Sequence, residues 1–272
     1  MPYTKVIISG DEVEIYKYTG SIPERSLHKR PRQSQERRAR SLTIRPDNAH
    51  RRRRSFERLV KSNLVGSNPP IFLTLTMATC VSLSLADPLA SRFFASLRRK
   101  HGQHVRYIYV PEFQERGAVH YHALVWGLSD ETILTEGSRG KNNTNQKQRW
   151  LDWLNARGYA KSDLGCTRAL QRLWARGYVD IVPTDNSSKL ARYLSSYMHK
   201  TMQDERLRGG RAYRASGNIL RPLSVSLGAF SLEGVADEIL GCSLESLDIV
   251  RKREYNTKWL GRGQYTIYKT KK

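Results

Sequence analysis

The chain has 272 residues, 39% of them hydrophobic and 9% aromatic, enough apolar material for a globular core. Its formal net charge of +22 asks for a polyanionic partner, and nucleic acid is the first candidate. No apolar run reaches the ~20 residues of a transmembrane helix, the N-terminus lacks a secretory leader, and 3 scattered cysteines argue against a disulfide scaffold or zinc ribbon. A cytoplasmic location is expected, or a nuclear one in a eukaryotic host, with no membrane partner.

Residues 3–18 read as a hairpin, with Val6-Ile7-Ile8 and Val13-Glu14-Ile15-Tyr16 flanking the turn pair Gly10-Asp11. Residues 25–58 hold a dense run of Lys and Arg. They divide into an extended arm and the start of a helix from about Asp47 to Leu64. Asp47 is its expected cap, Phe56, Leu59, Val60 and Leu64 form its apolar stripe, and Arg51, Arg52, Arg53 and Arg54 form a basic ring. Ile71 to Met77 alternates as a strand, and Leu85 to Lys100 is an amphipathic helix with Leu89, Phe93, Phe94 and Leu97 inward. Val105–Val110 and Val119–Gly127 pair as a second hairpin. The polar, Asn/Gly-rich stretch 129–148 reads as a surface loop, with Trp150, Trp153 and Trp174 as core. A helix over 167–176, a strand over 178–182, a helix over 189–202, a basic loop over 209–217, a short helix near 232–240 and a strand at 265–268 complete the series. The order predicts an α+β fold, an antiparallel sheet with helices packed on it. Residues 1–24 would be an N-terminal hairpin, 25–58 a basic arm and helix start, and 59–272 the main domain with a C-terminal extension.

Side chains two apart on a strand share a face, so His120 and His122 point together, away from Tyr121. Two imidazoles alone make a weak metal site. Closing the hairpin brings Glu112 beside His120, and a His, His, carboxylate set binds divalent ions; Glu115 is the rival carboxylate, nearer the turn. Beside a phosphodiester the ion would be Mg²⁺ or Mn²⁺, polarising the phosphate as a Lewis acid. The plainer reading is two polar residues on a solvated strand face.

A second motif bears on that choice. On a helix, Tyr193, Tyr197 and Lys200 fall within a sector of roughly 60°. A phenol has a pKa near ~10, and a nearby cation favours its phenolate, which can attack a phosphate and leave a free 3′-hydroxyl. Two tyrosines on one face permit two successive transfers. Tyrosines that merely cover a sheet are the competing account. No Gly-x-x-x-x-Gly-Lys-[Ser/Thr] occurs, so no Walker-type ATPase is expected.

Together these motifs resemble those of the HUH endonucleases, in particular Rep-type rolling-circle replication initiators of plasmids and of single-stranded DNA viruses or phages. Phe72-Leu73-Thr74-Leu75-Thr76 resembles the first family motif, His120-Tyr121-His122 the metal-binding second, and Tyr193-x-x-x-Tyr197-x-x-Lys200 the third in its two-tyrosine form. Leu173 to Ile181 and Leu220-Arg221-Pro222 also resemble Rep-type context, and the likeness spans roughly residues 47–228. It implies an antiparallel sheet with an RRM-like core and flanking helices. It also implies a Mg²⁺ or Mn²⁺ ion on His120, His122 and Glu112, Tyr197 as primary nucleophile, Tyr193 as second, and Lys200 in support. Its implied partners are single-stranded DNA, origin hairpin DNA and a host or separate helicase. The basic arm and Arg51–Arg54 would meet phosphates, which brings affinity but little sequence reading. A transposase or relaxase of the same chemistry, a non-catalytic basic nucleic-acid-binding protein and a zinc hydrolase are the rival expectations.

Overall fold

The computed structural model describes residues 3–20, 46–64, 68–115, 117–136, 144–165, 168–185, 188–204, 206, 211–227, 246–258 and 260–270. The chain forms two compact units, each built on a five-stranded antiparallel sheet. The α+β class expected from the sequence is what the chain adopts, with two sheets in place of one. The expected arm over 25–45 and the short helix near 232–240 lie outside the described residues.

The first unit takes residues 1–40, 61–63 and 220–272. Strands β1 (Tyr3–Ser9) and β2 (Glu12–Tyr18) form the expected hairpin. They lie inside a sheet of order β8-β1-β2-β10-β9, with β8 Leu223–Leu227, β9 Leu247–Thr257 and β10 Gly261–Thr270. Val6, Val13, Ile15, Leu227 and Leu247 are buried together on one side of it. The late strand expected at 265–268 is the middle of β10.

The second unit takes residues 41–60 and 64–219. Its sheet has the order β6-β3-β5-β4-β7, with β3 Ile71–Thr76, β4 Arg106–Phe113, β5 Val119–Trp126, β6 Val179–Pro183 and β7 Arg214–Ala215. Period-2 alternation gives each strand two different faces. On one face Leu73, Leu75, Tyr121 and Ala123 pack with Phe93, Phe94 and Leu97 of α2 (Leu83–His101). Trp150 and Trp153 of α4 (Thr144–Asn155) and Trp174 of α5 (Ala169–Trp174) join the same cluster, as core residues. Each such large apolar side chain contributes about 1.5–3 kcal/mol by leaving water.

The other face is divided, and the division positions the site. Its apolar half, with Phe72, Ile108, Val110 and Leu124, packs with Phe56, Leu59 and Val60 of α1 (Pro46–Lys61) and with Leu190, Ala191 and Leu194 of α6 (Ser188–Gln203). Its polar half carries Thr74, Thr76, His120, His122, Glu112 and Asp180, all placed on this face by the strand register.

Three expectations need correction. The stretch 129–148 is not a loop throughout: α3 spans Asp130–Glu136 and α4 begins at Thr144. Ser129 caps α3, its hydroxyl accepting from the Thr132 N–H at 3.2 Å, Asp130 and Glu131 suit the helix dipole, and Ile133 anchors it in the core. Asp47 stands within α1 and not ahead of it as a cap. The basic stretch 209–217 contains β7, paired with β4, and its Arg214 is bound to Asp87 at 2.5 Å.

The turn after α5 clamps the end of β3. Trp174 Nε1 donates to the Thr76 carbonyl at 2.9 Å, Thr76 N–H to the Tyr178 carbonyl and Ala78 N–H to the Arg176 carbonyl, both at 2.8 Å. Gly177 sits in this clamp at φ +149°, where a Cβ would collide with the Thr76 carbonyl and come within 2.8 Å of Ala78 N. Gly177→Ala should therefore cost about 2 kcal/mol or more in urea unfolding. A variant as stable as the parent would mean that the clamp yields.

Candidate active site

Strand register sets the polar half of the divided face in rows. Glu112, His120 and Thr76 are cross-strand partners on β4, β5 and β3; the next row holds Val110, His122, Thr74 and Asp180. Although Glu112 lies opposite His120, its Oε2 accepts from His122 Nε2 at 2.6 Å. The Thr74 hydroxyl lies 3.3 Å from His122 Nδ1. A proton on Nε2 leaves Nδ1 to accept from Thr74, so the two partners select one tautomer. His122 is 7% exposed and its ring centroid is 6.2 Å from that of His120.

Helix α6 brings the tyrosines to this row. Leu190, Ala191 and Leu194 are buried beneath it, which leaves Tyr193 and Tyr197, one turn apart, on a common face. Their hydroxyls meet at 2.6 Å. The Tyr197 ring stacks on His122, centroids 4.1 Å apart at 23°, and Phe72 lies beside His122 and both tyrosines. Tyr193 is 48% exposed, whereas Tyr197 is half-buried. Burial, the Tyr193 hydroxyl and the Glu112 charge all push the Tyr197 phenol up from its ordinary value. The helix is also pinned from α1: Ser195 Oγ donates to Glu57 Oε1 at 2.9 Å, and Arg53 Nε donates to the same oxygen at 3.0 Å.

Residues 70–202 match the family Replication-associated protein ORF2/G2P. That segment is just under half of the chain. The match supports a rolling-circle replication initiator and a role in starting replication. No curated protein and no solved structure matches the chain.

The segment similar to Replication-associated protein ORF2/G2P contains His120, His122, Glu112, Tyr193, Tyr197 and Lys200. The structure brings the first five of these together. The Lys200 side chain lies outside what is described, although its backbone continues α6. Glu115 is exposed in the turn after β4. Tyr121 faces the opposite side, where it is buried and donates to Asp87 Oδ1 at 3.0 Å, so burial and the Asp87 charge push its phenol far up. Arg51, Arg52 and Arg54 are exposed on α1, upstream of the segment that resembles Replication-associated protein ORF2/G2P.

Two residues that sequence reading missed stand at this site. Asp180 shares the row of His122, and its signal was the alternation of Val179-Asp180-Ile181, apolar residues flanking an acid. Tyr178, 70% exposed, is held beside Thr76 by the backbone clamp. Nothing in its sequence context separates it from a strand residue. The imidazoles and carboxylate are donor types that suit a divalent ion, and they share one face. Among the described residues no three such side chains already converge on one point. Holding an ion would draw Glu112 off its hydrogen bond to His122.

Proposed function

We propose that this protein nicks and rejoins single-stranded DNA through a covalent 5′-phosphotyrosine link and thereby starts rolling-circle replication, as an HUH-type initiator of the two-tyrosine form. The observation that carries this reading is the pair of tyrosine hydroxyls 2.6 Å apart, one of them on a ring stacked against His122. Tyr197 Oη forms a bond to phosphorus and the P–O3′ bond breaks. The departing oxygen gains a proton as a 3′-hydroxyl, and the phenolic proton passes to water past Tyr193. Attack of a 3′-hydroxyl on the phosphotyrosine reverses the step and reseals the strand. Tyr193, one turn earlier and more open to solvent, takes the second transfer. A Mg²⁺ or Mn²⁺ ion on His120, His122 and Glu112 would polarise the scissile phosphate. Lys200 supports the developing charge from the same helix, and the exposed Arg51, Arg52 and Arg54 meet DNA phosphates, while Arg53 is held by Glu57. Origin hairpin DNA is the substrate and a host or separate helicase the partner.

The test is to incubate the protein with hairpin-bearing single-stranded DNAs and Mn²⁺ and to run a denaturing gel. A protease-sensitive protein–DNA adduct is expected, together with a free 3′-hydroxyl fragment. Binding without any adduct would instead favour a non-catalytic DNA-binding protein. Zn²⁺-dependent cleavage without linkage would favour a hydrolase.

A further inference from the structure

The first unit lies outside the segment that matches a replication family, and one face of its sheet is built unlike the rest. Strand register places Tyr3, Tyr18, Gly263 and Tyr255 in one transverse row, and Lys5, Tyr16, Tyr265 and Arg253 in the next. Tyr3 stacks on Tyr18 with centroids 5.7 Å apart at 18°. Tyr255 leans across β10 to reach Tyr18, edge-on at 6.1 Å, and donates its hydroxyl to Tyr18 at 3.0 Å. Gly263 makes that lean possible, because a Cβ there would come within 2.7 Å of the Tyr255 ring. In the second row Tyr16 and Tyr265 lie 4.7 Å apart, and both donate to Glu14, at 3.0 and 2.6 Å, which keeps that carboxylate under the rings.

Tyr3, Tyr18 and Tyr255 are half-buried, and Arg251 and Arg253 of β9 on the same face are exposed. β9 is an edge strand, and edge strands carry charge to discourage pairing with other chains. Edge protection accounts for the arginines. It does not account for a row of tyrosines fixed by their own hydroxyls over a glycine. Burial and the Tyr255 hydroxyl push the Tyr18 phenol up, which keeps that ring uncharged beside a phosphate.

We infer that this face is a second DNA-binding surface, a stacking platform for single-stranded DNA, with unpaired bases on Tyr3, Tyr18 and Tyr255 and phosphates on Lys5, Arg251 and Arg253. Ile7, Glu14 and Tyr265 of this face are buried, and Tyr3, Tyr18 and Tyr255 form its partly exposed end. Partly exposed rings suit single strands because bases within a duplex offer no free face, and stacking with nearby cations holds a strand without reading its sequence. The choice of DNA rests on the replication-family match, and the inference is independent of the nicking chemistry.

The test uses the full chain in EDTA, where metal-dependent cleavage cannot contribute, and a fluorescein-labelled oligo(dT) of about 20 nucleotides. Fluorescence anisotropy should show about a tenfold or greater loss of affinity in the Tyr18→Ala/Tyr255→Ala double variant, while the corresponding Phe double variant, which keeps the rings, binds like wild type. Because these rings also pack on each other, the wild-type protein is in parallel photo-crosslinked to 5-iododeoxyuridine oligonucleotides and the adducts mapped by mass spectrometry. Crosslinks to tyrosines of β1, β2 or β9 are expected. A folded Ala double variant that binds as wild type, crosslinks confined to residues 70–202, or a duplex that outcompetes oligo(dT) would each overturn the inference.

Discussion

Tyr197→Phe should cut formation of the covalent DNA adduct by about 10³-fold or more, the scale expected when a nucleophile is removed and only binding remains. The substitution deletes one oxygen and leaves the ring on His122, so the fold and DNA binding should hold. Tyr193→Phe makes the informative contrast. It should leave the first cut and its adduct within about tenfold of wild type but abolish a second strand transfer, scored with a labelled acceptor strand. The asymmetry follows from position: Tyr197 stacks on a candidate ligand, whereas Tyr193 stands further into solvent. Their shared hydrogen bond makes the pair one unit, so the double variant should lose no more in the first cut than Tyr197→Phe alone. Adduct retained in Tyr197→Phe and lost in Tyr193→Phe would exchange the two roles.

Glu112→Gln and His120→Ala should each weaken Mn²⁺ binding by about 100-fold, followed by electron paramagnetic resonance titration of free Mn²⁺ without DNA. Both positions sit at the more open end of the polar rows, so these changes test ligation with little disturbance to the core. His122→Ala is a harsher change, because the ring is enclosed by Phe72, Tyr197, Thr74 and Glu112. It should lower stability as well, by about 1–3 kcal/mol, and leave Glu112 without that hydrogen-bond donor. Unchanged Mn²⁺ affinity in both milder variants would remove the ion from this site. The tyrosine chemistry would then need another source of positive charge, and Lys200 would be the next residue to vary.

The second unit was the more legible part of the chain, for a physical reason. Its strands β3, β5 and β6 alternate apolar and polar residues because one face is wholly buried and the other is only half covered. The register of Glu112 with His120 follows from the tightness of the β4–β5 hairpin. The hydrogen bond from His122 to that carboxylate did not follow, because diagonal pairing depends on side-chain rotamers that no spacing encodes. Helix α3 was hidden by the Asn/Gly-rich residues after it, although Ser129, Asp130, Glu131 and Ile133 carried its signal. β9 gave no alternation because Arg251 to Glu254 are exposed on either side of an edge strand. That the hairpin of β1 and β2 belongs to a five-stranded sheet could not be read locally, since its partners lie more than 200 residues away.

Those distant pairings have a kinetic consequence. Glu14 meets Tyr265 across 251 residues, whereas strands β3 to β6 all fall within Ile71–Pro183. Closing so long a loop is slow, and during synthesis β2 cannot gain its β10 neighbour until residues 261–270 have left the ribosome. The sheet that bears the histidines can be complete while the first hairpin still waits with an unpaired edge. Ribosomes arrested before residue 261 should therefore carry a protease-resistant core beside a sensitive N-terminus, and for that interval the hairpin is the part of the nascent chain most open to aggregation.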